Sequence, residues 1–285
     1  MTKEGEFMWI LKAECRHILQ SMFFRAATAV VLVLILFYAF SPGSLFLPGI
    51  GNGGGESLFM SLFGPNALAP GGVFFLLLTG IAVGRSLGGS LHDRMPQMQY
   101  TGKFGRKLAL HKILAVCVVS GAVYLAGGLF ITLVSLPRFR MDVYWNASLD
   151  SMIPPEWKTK MEIKVPEFPV TVGQFWWFQL AVGLAAVVIM AVLFSAVVLL
   201  VKNLYAGAAG MLCVYQLLTF FSTNNNPGLF IESPVRLFLD ASDIPQGLNL
   251  FPILPWFEGG SLLFWSGVAA VLAVLGFMRF RKTAL

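Results

Sequence analysis

The sequence predicts an all-helical polytopic membrane protein with six transmembrane helices, on three observations. Hydrophobic residues make up 57% of the 285 residues and charged residues only 12%, which is about half the charged share of a soluble domain. Several apolar runs reach the roughly 20 residues that a helix needs to cross a bilayer. Basic residues gather at the ends of these runs, so the net charge of +6 does not form the continuous stripe of a nucleic-acid-binding protein.

The first element is predicted to be an amphipathic helix over residues 6–20. Phe7, Leu11 and Ile18 fall on one side of it at helical spacing, and Glu14 interrupts that apolar side. A helix of this kind is expected to lie in the membrane interface before the chain turns into the bilayer.

Six spans follow, and together with their connections they form one transmembrane domain over residues 1–285. The segments between spans are rich in Gly, Pro or charged residues. In the outer segment between the third and fourth spans, VYWNASL and MEIKVPEFPVTV could form short strands or extended arms. The predicted spans cover about residues 21–40, 72–91, 108–136, 175–201, 204–222 and 259–278, and the extracytoplasmic segments are 41–71, 137–172 and 223–258.

The distribution of charge sets the predicted orientation. On this topology the inner side holds 14 of the 20 basic residues and four of the 14 acids, a net charge of +10, whereas the outer side has a net charge of −4. Lys and Arg near the ends of spans are retained in the cytoplasm. Both termini are therefore expected to be cytoplasmic, in the plasma membrane of a bacterial cell.

The segment between the second and third spans, residues 90–112, is the most basic inner loop. It holds a single acid, Asp93, and five basic residues, and it also offers apolar and aromatic side chains. An interfacial helix that docks into a cleft of a partner protein needs both kinds of side chain. Those that we assign to docking are Asp93, Arg94, Met95, Met98, Tyr100, Lys103 and Phe104.

Three features together resemble the membrane subunits of type-2 ABC exporters. These are the opening LKAECRHILQSMFF, the segment 90–112 with an acid, a Pro and a basic cluster before the third span, and six spans with a broken apolar segment before the last. The resemblance implies an N-terminal elbow helix and a cytoplasmic coupling helix between spans two and three. It also implies an ABC ATPase subunit and a second permease subunit, identical or different, as partners within the membrane lipid.

The chain itself is expected to be non-catalytic and without a cofactor. A P-loop needs G-x-x-x-x-G-K-[ST], which is absent from the sequence, so ATP and magnesium would bind on the partner ATPase. The sequence also lacks HExxH, and the three cysteines have no paired spacing. We expect Cys15, Cys117 and Cys213 to be buried free thiols.

The predicted spans carry no Asp or Glu in their interiors. Ion-coupled transporters keep such groups near the middle of the membrane, so the pattern favours ATP-driven export of an amphipathic or hydrophobic substrate. An antimicrobial or toxin-like peptide is the first expectation, with drugs, lipids and glycans as alternatives. Arg85, near the inner end of the second span, either extends to the membrane surface or lines a substrate path.

Two other interpretations compete with export. One is a sensor or immunity subunit that binds a molecule without transporting it. The other is an intramembrane serine hydrolase, because residues 84–88 read G-R-S-L-G and His92, Asp93 and His111 follow. The hydrolase motif requires a strand, a sharp turn and a helix, whereas this stretch is predicted to end an apolar helix.

Overall fold

The chain is described here by a computed structural model. It describes residues 3–40, 69–88, 103–139, 145–148, 151, 171–201, 206–207, 209–214, 217 and 255–282. The longer α-helices in these ranges are α1 (Lys3–Leu19), α2 (Met22–Phe40), α3 (Ala69–Val83), α4 (Lys103–Phe139), α5 (Val172–Val201) and α6 (Pro255–Lys282). A π-helical segment, Gly84–Gly88, directly follows α3.

The prediction of an all-helical protein is confirmed for the described residues. They contain no β-strand, and an isolated antiparallel bridge joins Ser148 to Thr171. This bridge connects the two stretches for which strands or extended arms were considered. Of these two stretches, residues 143–144, 149 and 161–170 lie outside the described residues, and residues 145–147 form turns and bends.

Two helices in the described part are long and apolar enough to cross a membrane, over Leu108–Phe130 and Gly183–Val201. A third candidate arises if α1 and α2, which meet at a bend of 65°, are counted as one broken span. Phe75–Gly88 and Leu263–Met278 are apolar but shorter in the described part. The protein thus has helices suited to a membrane, and the count of six spans stays a prediction.

The bend between α1 and α2 is tied by hydrogen bonds around Gln20 and Ser21. The Ser21 amide donates to the Ile18 carbonyl over 3.1 Å, and Arg25 Nε donates to the Leu19 carbonyl over 2.8 Å. Carbonyls at a helix C-terminus have no partner within the helix. Arg25 therefore caps the end of α1 from the first turn of α2.

The N-terminus of α5 has a capping box. Thr171 Oγ1 accepts from the Gln174 amide over 3.2 Å, and Gln174 Oε1 accepts from the Thr171 amide over 3.0 Å. The segment 145–148 supplies two more partners, because the Val172 and Gly173 amides donate to the carbonyls of Ala147 and Trp145. These contacts start α5 a few residues earlier than the predicted span.

The buried core is formed where α5 packs against α3, α4 and α6. Glycines allow close approach at this junction: a Cβ at Gly183 would overlap Tyr124, and one at Gly127 would overlap Phe75. The rings of Phe75 and Tyr124 meet edge to face with centroids 5.2 Å apart. Small residues that let helix backbones approach are the usual basis of helix association in membranes.

Hydroxyl groups within the helices bond to their own backbone. Thr79 Oγ1 donates to the Phe75 carbonyl over 2.9 Å, and Ser195 Oγ donates to the Ala191 carbonyl over 2.7 Å. A hydroxyl bonded four residues back needs no partner from another helix. These two side chains can therefore be buried in an apolar interior at little cost.

Candidate functional site

A polar junction lies where α1 crosses the beginning of α4 and the π-helical segment. Phe7 and His111 stack at a tilt with ring centroids 4.4 Å apart. Further along α1, Cys15 Sγ contacts the Ala115 carbonyl at 4.0 Å. We call this junction of α1, the π-helical segment and the first turns of α4 the corner.

A buried lysine joins the three elements of the corner. Lys112 Nζ on α4 lies 3.4 Å from Glu14 Oε1 on α1, and it donates a hydrogen bond of 3.0 Å to the Ser86 carbonyl. The exposed fractions of the Lys112 and Glu14 side chains are 9% and 16%. We call this arrangement of Glu14, Lys112 and Ser86 the Lys112 clamp.

The charged groups of the clamp stabilise the fold only when both are present. A buried ammonium group must be paired and hydrogen-bonded, because removing it from water costs several kcal/mol. Among the described residues the second carboxylate oxygen, Glu14 Oε2, is buried without a hydrogen-bond partner. The carboxylate of Glu14 thus depends on Lys112, and loss of either partner leaves a buried charge.

The π-helical segment presents the carbonyl that Lys112 holds. Gly84–Gly88 has the wider i to i+5 turn, which is rare and frequent at functional sites. Ser86, Leu87 and Gly88 are buried, whereas Arg85 is exposed. A cation next to the last carbonyls of a helix also interacts favourably with the negative end of the helix dipole.

His17 borders the clamp on its exposed side. It lies one turn after Glu14 on α1 and is itself exposed. Partial burial lowers the pKa of His17, the positive charge of Arg85 lowers it further, Glu14 opposes these effects and Lys112 adds to them. His17 is therefore held towards its neutral form by its partial burial first and then by the positive charges of Arg85 and Lys112.

Most of the docking residues lie outside the described part of the chain. That holds for Asp93, Arg94, Met95, Met98 and Tyr100. Their assignment to docking stays a prediction.

Lys103 and Phe104 form the first turn of α4, so this helix begins inside the segment that the sequence assigned to coupling. Arg85 is exposed in the π-helical segment. Its place on the substrate path stays a prediction.

The serine hydrolase motif lies in a different structural context from the one that its chemistry requires. Ser86 is 1% exposed and belongs to a π-helical turn, whereas a nucleophile elbow presents an exposed serine between a strand and a helix. His111 is buried against Phe7, and His92 lies outside the described residues.

Two further expectations concern cysteines and metals. All three cysteines are free; Cys15 and Cys117 are partly buried, but Cys213 is exposed, so the prediction of a buried thiol is wrong at that position. The prediction used the apolar residues on either side of each cysteine in the sequence. An apolar helix has residues on its outer surface as well as on its packed side, and the neighbours in sequence do not show which side a residue is on. Within the residues that the structure describes, no three His, Cys, Asp or Glu side chains are grouped to hold a metal ion.

The clamp was not predicted, although one signal for it was present. Glu14 lies on the same helical face as Phe7, Leu11 and Ile18, and an acid on an apolar face requires a buried cation. The sequence contains many basic residues that could supply it, and only the packing of α1 on α4 selects Lys112.

A scan against protein-family models and searches of curated proteins and solved structures found no match to this chain. The likeness to type-2 ABC exporter subunits therefore depends on the sequence features alone.

Proposed function

We propose that this chain is the membrane subunit of an ATP-driven exporter and that residues 90–112 transmit movement from a separate ATPase. The observation that carries the proposal is the Lys112 clamp. It ties the π-helical segment, which precedes residues 90–112, and the beginning of α4, which lies within them, to the helix α1 that precedes α2. Movement of the segment would then act on the first three predicted spans together.

The proposed mechanism uses the clamp as a rigid connection. When the ATPase pair closes on ATP, it would push the docking side chains of residues 93–104. The Glu14–Lys112 ion pair would carry the displacement into α1, and the Lys112–Ser86 hydrogen bond would carry it into α3. Tilting of these helices would open a path between two permease subunits to the outer side.

The chemistry of the described interior supports a substrate class. The hydroxyl groups of Thr79 and Ser195 bond to their own helices, and the buried residues between the helices are mainly apolar. We propose an amphipathic or hydrophobic cargo, with an antimicrobial or toxin-like peptide first. Arg85 is proposed to meet an acidic or polar group of the cargo at the inner end of the path.

The test is association with an ATP-binding-cassette protein encoded beside this gene. The tagged chain is co-expressed with that protein, and the ATPase that co-purifies is measured. Met98→Asp combined with Tyr100→Asp should abolish co-purification, because two charges would replace the apolar docking surface. Tyr144→Asp, in the predicted outer segment, is the matched control and should co-purify as the unaltered chain does.

A second measurement examines transmission separately from association. Replacing both charges of the clamp, by Glu14→Leu with Lys112→Met, should keep the fold and the bound ATPase. The increase in ATP hydrolysis caused by cargo should fall roughly tenfold, as a coupling energy of 1–3 kcal/mol implies. Unchanged association of the Met98→Asp/Tyr100→Asp protein, or the absence of any associated ATPase, would contradict the proposal.

A further inference from the structure

The corner also has a basic surface that the clamp does not use. Arg85 and His17 are both exposed and lie beside the clamp, and Arg16 precedes His17 on α1. The carboxylate of Glu14 is paired with Lys112. Among the described residues, neither Arg85 nor Arg16 forms an ion pair with it or with another acid. The exposed charge of the corner is therefore positive.

Apolar side chains are exposed at the adjoining bend. Leu19, Met22 and Phe23 are 47%, 86% and 71% exposed. Two of them begin α2, where Arg25 holds the last carbonyl of α1. Leu19 lies one turn after the exposed Arg16 on α1, so an exposed apolar side chain adjoins an exposed guanidinium group. Such a surface is complementary to a molecule that has both hydrocarbon chains and a negative head.

We infer that the surface between Arg85 and His17 binds the phosphate of an anionic phospholipid, whose acyl chains lie along Leu19, Met22 and Phe23. Arginine suits this role because its planar guanidinium group gives two parallel hydrogen bonds to phosphate oxygens. Arg85 directly precedes Ser86, whose carbonyl bonds to Lys112, and His17 lies one turn after Glu14, so the clamp brings both side chains to the same corner. This inference does not depend on transport.

The binding is tested with the full-length chain purified in a neutral detergent at pH 7.5. Its unfolding midpoint is followed while phosphatidylglycerol, phosphatidylcholine or inorganic phosphate is added. A ligand that binds the folded state raises the midpoint with its concentration. We expect phosphatidylglycerol to raise it, and we expect phosphatidylcholine and inorganic phosphate to leave it unchanged.

Substitutions then locate the site. Arg85→Gln should weaken phosphatidylglycerol binding about fivefold, which is the contribution of one basic residue near an anionic membrane surface. His17→Asn should weaken it less, and Arg85→Lys should retain more binding than Arg85→Gln. The matched control is Lys282→Gln, which removes one positive charge at the end of α6 and should bind as the unaltered chain does.

Three results would overturn the inference. An equal loss of binding in Lys282→Gln would mean that the net positive charge attracts the lipid without a site. An equal response to phosphatidylcholine would show that only the hydrocarbon chains bind. A response to inorganic phosphate alone would assign the surface to a free anion. Unchanged phosphatidylglycerol binding in a folded Arg85→Gln protein would also count against the site. If Arg85→Gln does not fold, unchanged binding in His17→Asn would count against it in the same way.

Discussion

The two halves of α4 are held to their neighbours by different means. At its beginning, Lys112 makes an ion pair and a hydrogen bond to two other elements. Further along, Gly127 and Tyr124 pack closely against Phe75 and Gly183. The first half is specified by charge and the second by side-chain volume.

The difference agrees with the predicted topology, which puts the beginning of α4 near the membrane surface. Water there would lower the cost of a charged pair, and the pair would fix one orientation of the helices. Deep in an apolar interior a charge is expensive, and helices are joined by close contact of small and large residues. Substitutions in the two halves should therefore fail in different ways.

The largest expected effect comes from breaking the clamp. Lys112→Met should lower the free energy of unfolding by about 3 kcal/mol, because Glu14 is left as a buried charge without its cation. The double substitution Glu14→Leu with Lys112→Met should recover most of that loss. Chemical denaturation in detergent measures both, and Lys12→Met, an exposed lysine on α1, is the matched control with a change below about 0.5 kcal/mol.

If Glu14→Leu with Lys112→Met is as unstable as Lys112→Met alone, the two halves of α4 are not held by different kinds of interaction. It would show that the corner also depends on side-chain shape. A single variant as stable as the unaltered chain would show that Glu14 is exposed to solvent.

The second effect concerns the packed half of α4. Gly183→Ala should cost about 1–3 kcal/mol, since the added methyl group would overlap the Tyr124 hydroxyl. Tyr124→Phe in the same chain should recover part of the loss. Gly80→Ala is the control, because nothing lies within 4 Å of the added atom. Equal losses in Gly183→Ala and Gly80→Ala would mean that the junction of α4 and α5 is loosely packed.

The smallest effect is a pH dependence at the corner. The pKa of His17 is lower in the folded chain than its ordinary value of 6.5, so the unfolded chain binds more protons below that pH. Stability should therefore fall as the pH drops from 7.5 to 5.0. The contribution of His17 should be below about 0.5 kcal/mol, because water screens an exposed side chain.

His17→Asn should remove this part of the pH dependence, measured as the difference in unfolding midpoint between the two pH values. If the difference is the same in His17→Asn and in the unaltered chain, the pKa of His17 is not lowered by folding. Arg85→Gln should reduce the same difference, because the positive charge that disfavours protonation is removed.

Several parts of the fold were predictable, and the reasons are local. The boundary between α1 and α2 agrees with the prediction that the amphipathic helix ends at residue 20 and the first span begins at residue 21. The sequence changes there from mixed polar and apolar residues to mainly apolar ones. The predicted span 175–201 ends with α5, but the helix begins at Val172. The signal for that start was the sequence Thr171-Val-Gly-Gln, a capping box that the search for apolar runs did not consider.

The candidate site was predictable only in part. The sequence indicated that Glu14 is unusual on an apolar face and that residues 90–112 are basic. It did not indicate a π-helical turn at Gly84–Gly88, because such a turn has no composition of its own. The choice of Lys112 from five basic residues required the crossing of α1 and α4.

The sequence by itself determined that the described part is helical and roughly where α2, α4 and α5 lie, because their long apolar runs are set by which side chains avoid water. Only the tertiary structure decided that Glu14, Ser86 and Lys112 meet and that Gly183 receives Tyr124. Such pairings depend on how the helices cross, and the local sequence around each residue does not indicate which distant residue it will contact.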